Sequence, residues 1–485
     1  MSRTPNSIAL SMVSHTNAGK TTLARTLLGR DVGEVRDAAH VTEFADAFTL
    51  LETPQGDTLT LWDTPGFGDS VRLVRRLRQT ANPLGWFMSA VWDRWRDRPF
   101  WASQQAVRNV RDEADVILYL VNAAEQPEAA GYVQPEMELL GWIGKPVVVL
   151  LNQLGPPREP VADAAERVRW QQHLAAHPQV AAVLPLDAFA RCWVQEITLL
   201  RAVEAALGGA QRERMARLRA AWQAQRNATF EAAMESIAES LARLAASSEA
   251  VPPSPGLMER VRHLGAKLGL GAAVDGPVEQ AQQALTAQLA AELRANTLAL
   301  IRLHGLAGDA HGEILARIAT HYELRLRMDE GKAALWGGMA AGALAGLKAD
   351  IATGGLTLGG GLLAGGLLGA LGAAGVARCV NLVRGTDHSW LAWNAEALNQ
   401  MTEAALLRYL AVAHFGRGRG DWVGGESPPH WAAVVQQALT PHRAALDAVW
   451  SMRAPVTDAA AALQAVIEPA AWQVLATLYP DASVA

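Results

Sequence analysis

Residues 14–22, with the sequence SHTNAGKTT, combine residue types that bind a phosphate group. An apolar run precedes them and helix-forming residues follow, which predicts a strand, a short loop and then a helix. In that arrangement the N–H groups of the loop and of the helix N-terminus favour an anion. Lys20 would reach the β- and γ-phosphates of a nucleotide, and the Thr21 hydroxyl would bind Mg²⁺. The consensus for such a loop begins with glycine, whereas this loop begins with Ser14.

A second motif, DTPG at residues 63–66, ends a predicted strand over residues 58–62. An Asp at a strand end can hold Mg²⁺ through water, and a glycine just beyond it can offer its N–H to a γ-phosphate. Thr42 lies between the two motifs, and its hydroxyl is a further candidate for the same site. Together the motifs predict a site for a nucleotide and its metal ion.

These residues resemble the Era/TrmE group of translation-factor-related GTPases. The resemblance rests on the loop with Asn17, on the spacing of Val32, Val35, Asp37 and Thr42, and on the DTPG motif, and it covers roughly residues 6 to 200. It implies phosphate contacts from Asn17, Ala18, Gly19, Lys20, Thr21, Thr22 and Gly66, and Mg²⁺ ligation by Thr21, Thr42 and Asp63. Asn17 matches an asparagine that helps to hold K⁺ in some of these proteins; a loop-capping amide is the alternative.

The residue after the second motif is Phe67, at a position where some GTPases carry a glutamine that orients the attacking water. An apolar ring cannot position a nucleophile. We therefore expect slow GTP hydrolysis unless a cation, a partner or a second copy completes the site. Asp69 is either a water ligand or a helix N-cap, and no catalytic residue is assigned.

The base-binding motif is altered. Two continuous apolar runs, residues 115–122 and 146–152, predict central parallel strands. In the related GTPases the second run ends in N-K-x-D, which binds guanine. Here only Asn152 remains, and Gly155 replaces the carboxylate. Losing a charged acceptor lowers discrimination between bases, but the resemblance still favours GTP over ATP.

A later loop offers two more base-binding candidates. Ala188 stands where the family places a backbone contact to the base. Asp187 either substitutes for the missing carboxylate or caps the next helix.

Composition narrows the class of protein. The 485 residues suggest two to four domains. A formal charge of −5 gives no bulk attraction to nucleic acid or to anionic lipid, and no RNA-binding module is visible. Two cysteines, outside any C-x-x-C pair, fit a cytoplasmic protein without a disulfide framework or a zinc site.

The elements that must position the site predict an α/β fold followed by a mainly helical part. The resemblance implies that the first part is a P-loop NTPase, a Ras/Era-like G domain whose mostly parallel sheet has helices on both faces. Helical spacing predicts helices over residues 212–246 and 277–330, and from Trp390 to Val412. A Ser/Pro-rich breaker run occupies residues 247–256. The predicted domains are a G domain (1–209), a helical region (210–330), a Gly-rich apolar hairpin (331–384) and a C-terminal helical region (385–485).

Two segments leave alternatives open. Residues 70–112 begin basic and turn aromatic, so they extend the core, dock on the C-terminal half, or lie on a membrane surface. Residues 351–377 are 27 residues without a charge, and glycines four apart recur there. A shorter apolar segment, residues 333–347, precedes them with the same glycine spacing. The two segments form either a membrane hairpin, with small residues at a close helix contact, or a buried hairpin of a soluble domain.

The order of these parts resembles bacterial GTPases whose C-terminal half is a domain of unknown function. Three functions follow as hypotheses: a GTP/GDP switch with a helical effector domain, a dynamin-like protein acting on membrane lipid or a membrane protein through G-domain association, and a scaffold deficient in hydrolysis. The first two allow a homodimer through the G domain and a cytoplasmic, membrane-associated location.

Overall fold

The computed structural model describes residues 6–15, 18–28, 46–67, 70–79, 82–83, 85, 98–155, 157–188, 191–251, 276–306, 380–384, 389–414, 428–452 and 454–482. This part of the chain divides into two compact units. One is drawn from Met1–Asn227, His414–Trp422 and Leu478–Ala485, and the other from Ala228–Ala413 and Val423–Thr477.

A six-stranded sheet forms the centre of the first unit, in the order β2-β3-β1-β4-β5-β6. Its strands are β1 (Ser7–Ser14), β2 (Asp46–Glu52), β3 (Thr58–Asp63), β4 (Val116–Asn122), β5 (Val147–Asn152) and β6 (Val180–Pro185). β2 runs antiparallel to β3, and the other neighbouring pairs are parallel. The mostly parallel α/β sheet predicted from the sequence is confirmed.

Six helices accompany the sheet among the described residues of this unit, and a seventh begins in it. They are α1 (Lys20–Leu28), α2 (Ser70–Leu77), α3 (Arg98–Asp112), α4 (Val133–Ile143), α5 (Pro160–Leu174), α6 (Trp193–Ala206) and α7 (Gly209–Ala246). β4 and β5 are buried almost throughout, because parallel strands covered by crossover helices have no solvated face. Tyr119, Trp170 and Phe67 are among the largest fully buried side chains.

The second unit is mainly helical, as predicted. The helices described after α7 are α8 (Gly276–Leu303), α9 (Ala395–Ala413), α10 (Pro429–Leu439), a 3₁₀ turn (Thr440–His442), α11 (Arg443–Trp450) and α12 (Val456–Leu478). Phe230 packs its ring against Tyr409 and Trp472, with centroids 5.8 and 4.4 Å away, which joins α7, α9 and α12 in one core.

A small antiparallel sheet in this unit corrects two sequence predictions. Its strands β7 (Ser248–Val251), β8 (Val380–Arg384) and β9 (Ser389–Trp393) lie in the order β7-β9-β8. The predicted helix from Trp390 is wrong at its start, since Trp390 belongs to β9 and α9 begins at Ala395. The breaker run contains a strand, because β7 finds its hydrogen-bond partners in β9.

Two features of the described residues bear on the predicted membrane association, the end of the Gly-rich hairpin and the apolar helix α12. Most of the Gly-rich hairpin, residues 331–379, lies outside the described residues, and residues 380–384 form β8. Among the helices that the structure describes, α12 is long and apolar enough to cross a membrane, with 39% of its apolar window buried. A core helix of a soluble protein has the same properties.

Candidate functional site

The predicted phosphate loop connects β1 to α1. β1 ends at Ser14, and α1 begins at Lys20. Gly19 adopts a φ of +86°, which residues with a Cβ rarely adopt. A Cβ at this position would also lie 2.6 Å from Asn152 Nδ2. Two independent constraints therefore require glycine before the helix.

Lys20 turns back over the loop. Its side chain is buried, and its Nζ atom donates to Ser14 Oγ at 2.9 Å. Burial lowers the pKa of Lys20, while the nearby carboxylates of Asp63 and Glu136 oppose that shift. A buried ammonium group with few acceptors is suited to an anionic ligand.

Thr21 and Asp63 meet as the two motifs predict. Thr21 Oγ1 donates to Asp63 Oδ2 at 2.7 Å. Asp63 Oδ1 is buried and makes no hydrogen bond, and burial raises the pKa of this carboxyl. A buried oxygen without a partner costs free energy that a cation would recover. Hydroxyl and carboxylate oxygens are the donors that Mg²⁺ prefers, so these residues fit the implied metal ion.

Residues 64–67 hold the DTPG motif against the loop. The Thr64 hydroxyl donates to the Met12 carbonyl, and the Phe67 N–H donates to the Ser14 carbonyl at 2.9 Å. The Phe67 side chain is fully buried in the hydrophobic core. Gly66 is thereby fixed beside the start of the phosphate loop.

Asn152 links the phosphate loop to the predicted base-binding loop. Its Nδ2 atom donates to the Ala18 carbonyl at 2.7 Å, and its Oδ1 accepts from the Ala188 N–H at 2.8 Å. Asp187 is buried and accepts from the Leu154 N–H through Oδ2 at 2.6 Å. Gln153 takes a positive φ of +60° in this turn. Asn152, Asp187 and Ala188 thus lie together, and the observed bonds are to the backbone.

The remaining predicted residues divide into two groups. Ala18 and Thr22 are buried at the loop and in the first turn of α1. Asn17, Thr42 and Asp69 lie outside the described residues, as do residues 86–97 of the aromatic segment. Of that segment α2 and α3 are described, and Phe100 of α3 belongs to the same core as Phe67.

A group of side chains that no motif indicated adjoins the loop. Glu136 of α4 is buried and contacts both His15 and the Tyr119 hydroxyl. His15 lies 121 positions from Glu136 in the sequence, and Tyr119 lies 17 positions from it. A carboxylate inside the apolar helix of residues 133–143 is unusual, but the helix holds both Glu136 and Glu138, so the sequence alone does not single out Glu136.

Two family models match the chain. One, described as 50S ribosome-binding GTPase, matches residues 10–153. The other, described as a domain of unknown function, DUF3482, matches residues 173–468. No curated protein matches the chain significantly. The resemblance to an Era-like GTPase domain followed by a domain of unknown function is confirmed.

Solved structures with similarity to the chain include Era. Era from Aquifex aeolicus bound to GDP·AlF4⁻ is 19% identical with a TM-score of 0.30, and the match covers 42% of this chain and 58% of that chain. Era in complex with MgGDPNP and a segment of 16S ribosomal RNA gives the same four values. A structure of the chloroplast translocon components atToc33 and psToc159 is 14% identical with a TM-score of 0.24, covering 42% and 84%. The chain thus spans under two thirds of the Era structures it matches.

Proposed function

The chain belongs to the DUF3482 family and carries a GTPase domain at its N-terminus, and from this premise we propose that it binds GTP with Mg²⁺ and acts as a nucleotide-dependent switch. One observation carries the proposal most directly. Lys20, Thr21 and Asp63 converge at the end of β1, with a buried carboxylate oxygen that no group of the described chain satisfies.

Different residues of the chain would bind the phosphates and the metal ion. Lys20 supplies a desolvated positive charge, and the N–H groups at the start of α1 supply further donors. Thr21 and Asp63 would hold Mg²⁺, together with Thr42. When bound, the ion would neutralise part of the negative charge of the phosphates. Asn17, Ala18, Gly19, Thr22 and Gly66 complete the proposed phosphate contacts.

We propose that GTP hydrolysis is slow. The Phe67 side chain is directed into the core and fully buried, so it cannot orient a water molecule at the phosphate. A K⁺ ion at Asn17, or a second G domain, would be the kind of factor that raises the rate. Both remain predictions from the sequence.

We propose that the base is guanine. Asn152 keeps one Nδ2 hydrogen beyond the bond to Ala18, and Ala188 lies beside it. Asp187 already accepts the Leu154 N–H, which supports a role in shaping the loop more than in replacing the lost carboxylate. Guanine selection should therefore be weaker than in a site with a free carboxylate.

The switch would act through Gly66 and α2. The Phe67 N–H to Ser14 carbonyl bond ties the DTPG segment to the phosphate loop, and α2 begins three residues later. Ordering or release of Gly66 by the γ-phosphate would therefore reposition α2. The helical effector role and membrane association remain hypotheses from the sequence.

A metal-dependence experiment tests the proposal. Binding of a fluorescent GTP analogue is measured with Mg²⁺ and with EDTA for the wild type, Asp63→Asn and Asp46→Asn. Asp46 is the exposed carboxylate opposite Asp63 in the β2–β3 pair and serves as the control. We expect Mg²⁺ to strengthen binding in the wild type and the control by about tenfold or more, and not in Asp63→Asn. Equal Mg²⁺ dependence in all three would contradict the metal assignment.

A further inference from the structure

Glu196 of α6 is a buried carboxylate that receives donors from two separate parts of the chain. Its side chain is 1% exposed, so its charge needs partners inside the protein. Arg191, in the connection between β6 and α6, forms an ion pair with it. From α7, Trp222 Nε1 donates to Glu196 Oε2 at 2.8 Å, and Arg226 Nε donates to the same oxygen at 3.0 Å. The carboxylate thus joins the β6–α6 connection to α7.

The two donors from α7 also contact each other. The Trp222 side chain is buried, and the guanidinium carbon of Arg226 lies 4.8 Å from the centroid of its ring. Such a cation–π contact adds to the attraction that holds the guanidinium in place. Both residues belong to the first unit. The donors that meet Glu196 Oε2 are therefore packed in position beside it.

Arg191 also contacts the elements that carry the predicted base-binding loop. Its guanidinium donates to the Thr26 carbonyl of α1. The Thr26 hydroxyl donates to the Ala188 carbonyl at 2.9 Å, and the Ala188 N–H donates to Asn152 Oδ1 at 2.8 Å. An unbroken series of polar contacts thus runs from Asn152, which contacts the phosphate loop, to Glu196.

Part of this series lies beyond the residues that the GTPase model matches. That model ends at residue 153, whereas Ala188, Arg191, Glu196 and the two donors of α7 fall within the DUF3482 match, residues 173–468. Part of the support of the base-binding loop therefore comes from residues that the second family model covers.

We propose that Arg191 is a positioning residue of the base-binding loop, and that α7 sets its position through Glu196. The two α7 donors hold Glu196 Oε2, and the fixed carboxylate holds Arg191 against the Thr26 carbonyl. With one of those donors removed, the buried carboxylate is held less firmly, at a cost in free energy. Reorientation of Glu196 then draws Arg191 away from Thr26, and the loop at Ala188 loses part of its support.

The inference rests on the proposed guanine site and adds a means of control to it. Selection of guanine depends on the geometry of the loop at Ala188, whereas the phosphates are bound by the loop at Lys20. Loss of an α7 donor should therefore lower the affinity for GDP by about fivefold and leave that for ADP nearly unchanged. A variant that merely destabilised the first unit would weaken binding of both nucleotides equally.

The test measures the affinities of the 485-residue chain for GDP and for ADP, with Mg²⁺ present, by isothermal titration calorimetry. The variants are Arg226→Gln and Arg191→Gln, with Arg219→Gln as the matched control. Arg219 also joins α7 to α6, through Glu204 at 2.6 Å, and its side chain is 22% exposed against 26% for Arg226. We expect the ratio of GDP to ADP affinity to fall about fivefold in both test variants and to stay at the wild-type value in the control.

The contrary outcomes separate this inference from the proposed function. A wild-type ratio in Arg226→Gln, or an equal loss of GDP and ADP affinity, would overturn the role of α7 and leave the guanine site standing. A wild type that binds neither nucleotide, or both equally, would overturn the proposed guanine site and this inference with it. Urea unfolding shows whether each variant is folded. Trp222→Phe, which keeps a ring but removes the donor, gives an independent answer should either arginine variant fail to fold.

Discussion

Asn152 Nδ2 donates to the carbonyl oxygen of Ala18 at 2.7 Å, which joins the end of β5 to the phosphate loop. Through its Oδ1 atom the same amide accepts from the Ala188 N–H at 2.8 Å. One fully buried side chain thus satisfies two backbone groups from distant parts of the sequence. The geometry of the phosphate loop therefore depends on the loop at Ala188, and loss of the Asn152 amide should disturb both loops.

Asn152→Ala should therefore destabilise the first unit and abolish nucleotide binding. It leaves two buried backbone groups without partners, at a cost of about 2 to 4 kcal/mol. Urea unfolding and GDP titration measure the two effects. The control is Asn122→Ala, at the β4 position paired with Asn152, where the side chain accepts from the Ala124 N–H and donates to Glu125, both near the surface. It should cost less than about 1 kcal/mol. Equal effects of the two variants would contradict this account.

Gly19→Ala should lower nucleotide affinity more than its backbone strain predicts. Both Gly19 (φ +86°) and Gly56 (φ +82°) have positive φ, but a Cβ meets Asn152 Nδ2 at 2.6 Å only at Gly19, while Gly56 has nothing within 4 Å. Gly56→Ala isolates the strain, about 1 kcal/mol. We expect Gly19→Ala to lose GDP binding in a titration in which Gly56→Ala binds like the wild type. Wild-type binding by Gly19→Ala would rule out the close packing.

Phe67→Gln should not accelerate GTP hydrolysis, although it introduces the residue type that orients water in some GTPases. The side chain at this position is buried in the core, so a polar amide there costs about 3 to 5 kcal/mol. Phosphate release and urea unfolding provide the measurements, with Phe67→Leu as the apolar control at a cost below about 2 kcal/mol. A faster turnover in Phe67→Gln would show that residue 67 can reach the phosphate.

The Asp57 ion pairs predict a pH-dependent contribution to stability. Arg217 Nε donates to Asp57 Oδ2 at 2.7 Å, and Arg214 lies 3.3 Å from the same carboxylate. The hydrogen bond from Arg217 is the main cause that lowers the pKa of Asp57. A carboxyl with a depressed folded-state pKa stabilises above its unfolded pKa of about 3.9 and loses that contribution as the pH falls through the folded value.

Asp57→Asn should accordingly cost about 1 to 2 kcal/mol at pH 7, because Arg217 is half exposed and part of the gain is screened. The difference from the wild type in urea unfolding should shrink towards pH 3. Asp112→Asn, which removes an exposed pair with Arg111, is the control and should change stability by less than about 0.5 kcal/mol. A cost for Asp57→Asn that is the same at both pH values would exclude the ion pairs as its source.

The sequence was sufficient to predict the meeting of Lys20, Thr21 and Asp63, because their motifs follow parallel strands and such strands end at one edge of a sheet. It could not predict the contact between His15 and Glu136, which are 121 positions apart and share no motif. Asn152 was predicted as a site residue, but its bonds to two backbone groups depend on tertiary packing.

The small sheet of the second unit also depends on contacts between segments that are distant in the sequence. The apolar residues around Trp390 fit a strand or a helix equally well, since a short run carries little periodicity. β9 is a strand because β7 and β8 pair with it, and β7 lies more than a hundred positions earlier in the chain. Strand pairing over such a separation leaves no local signal in either segment.

Competition between nucleotides tests the central claim most directly. A fluorescent GDP analogue bound to the wild-type chain in Mg²⁺ and K⁺ is displaced with GTP or with ATP, and the titration is repeated with Lys20→Met. The account predicts displacement by GTP at concentrations at least about tenfold lower than ATP, and no binding to Lys20→Met. Absence of binding to the wild type at tens of micromolar, or equal binding to Lys20→Met, would contradict a GTP site at the phosphate loop.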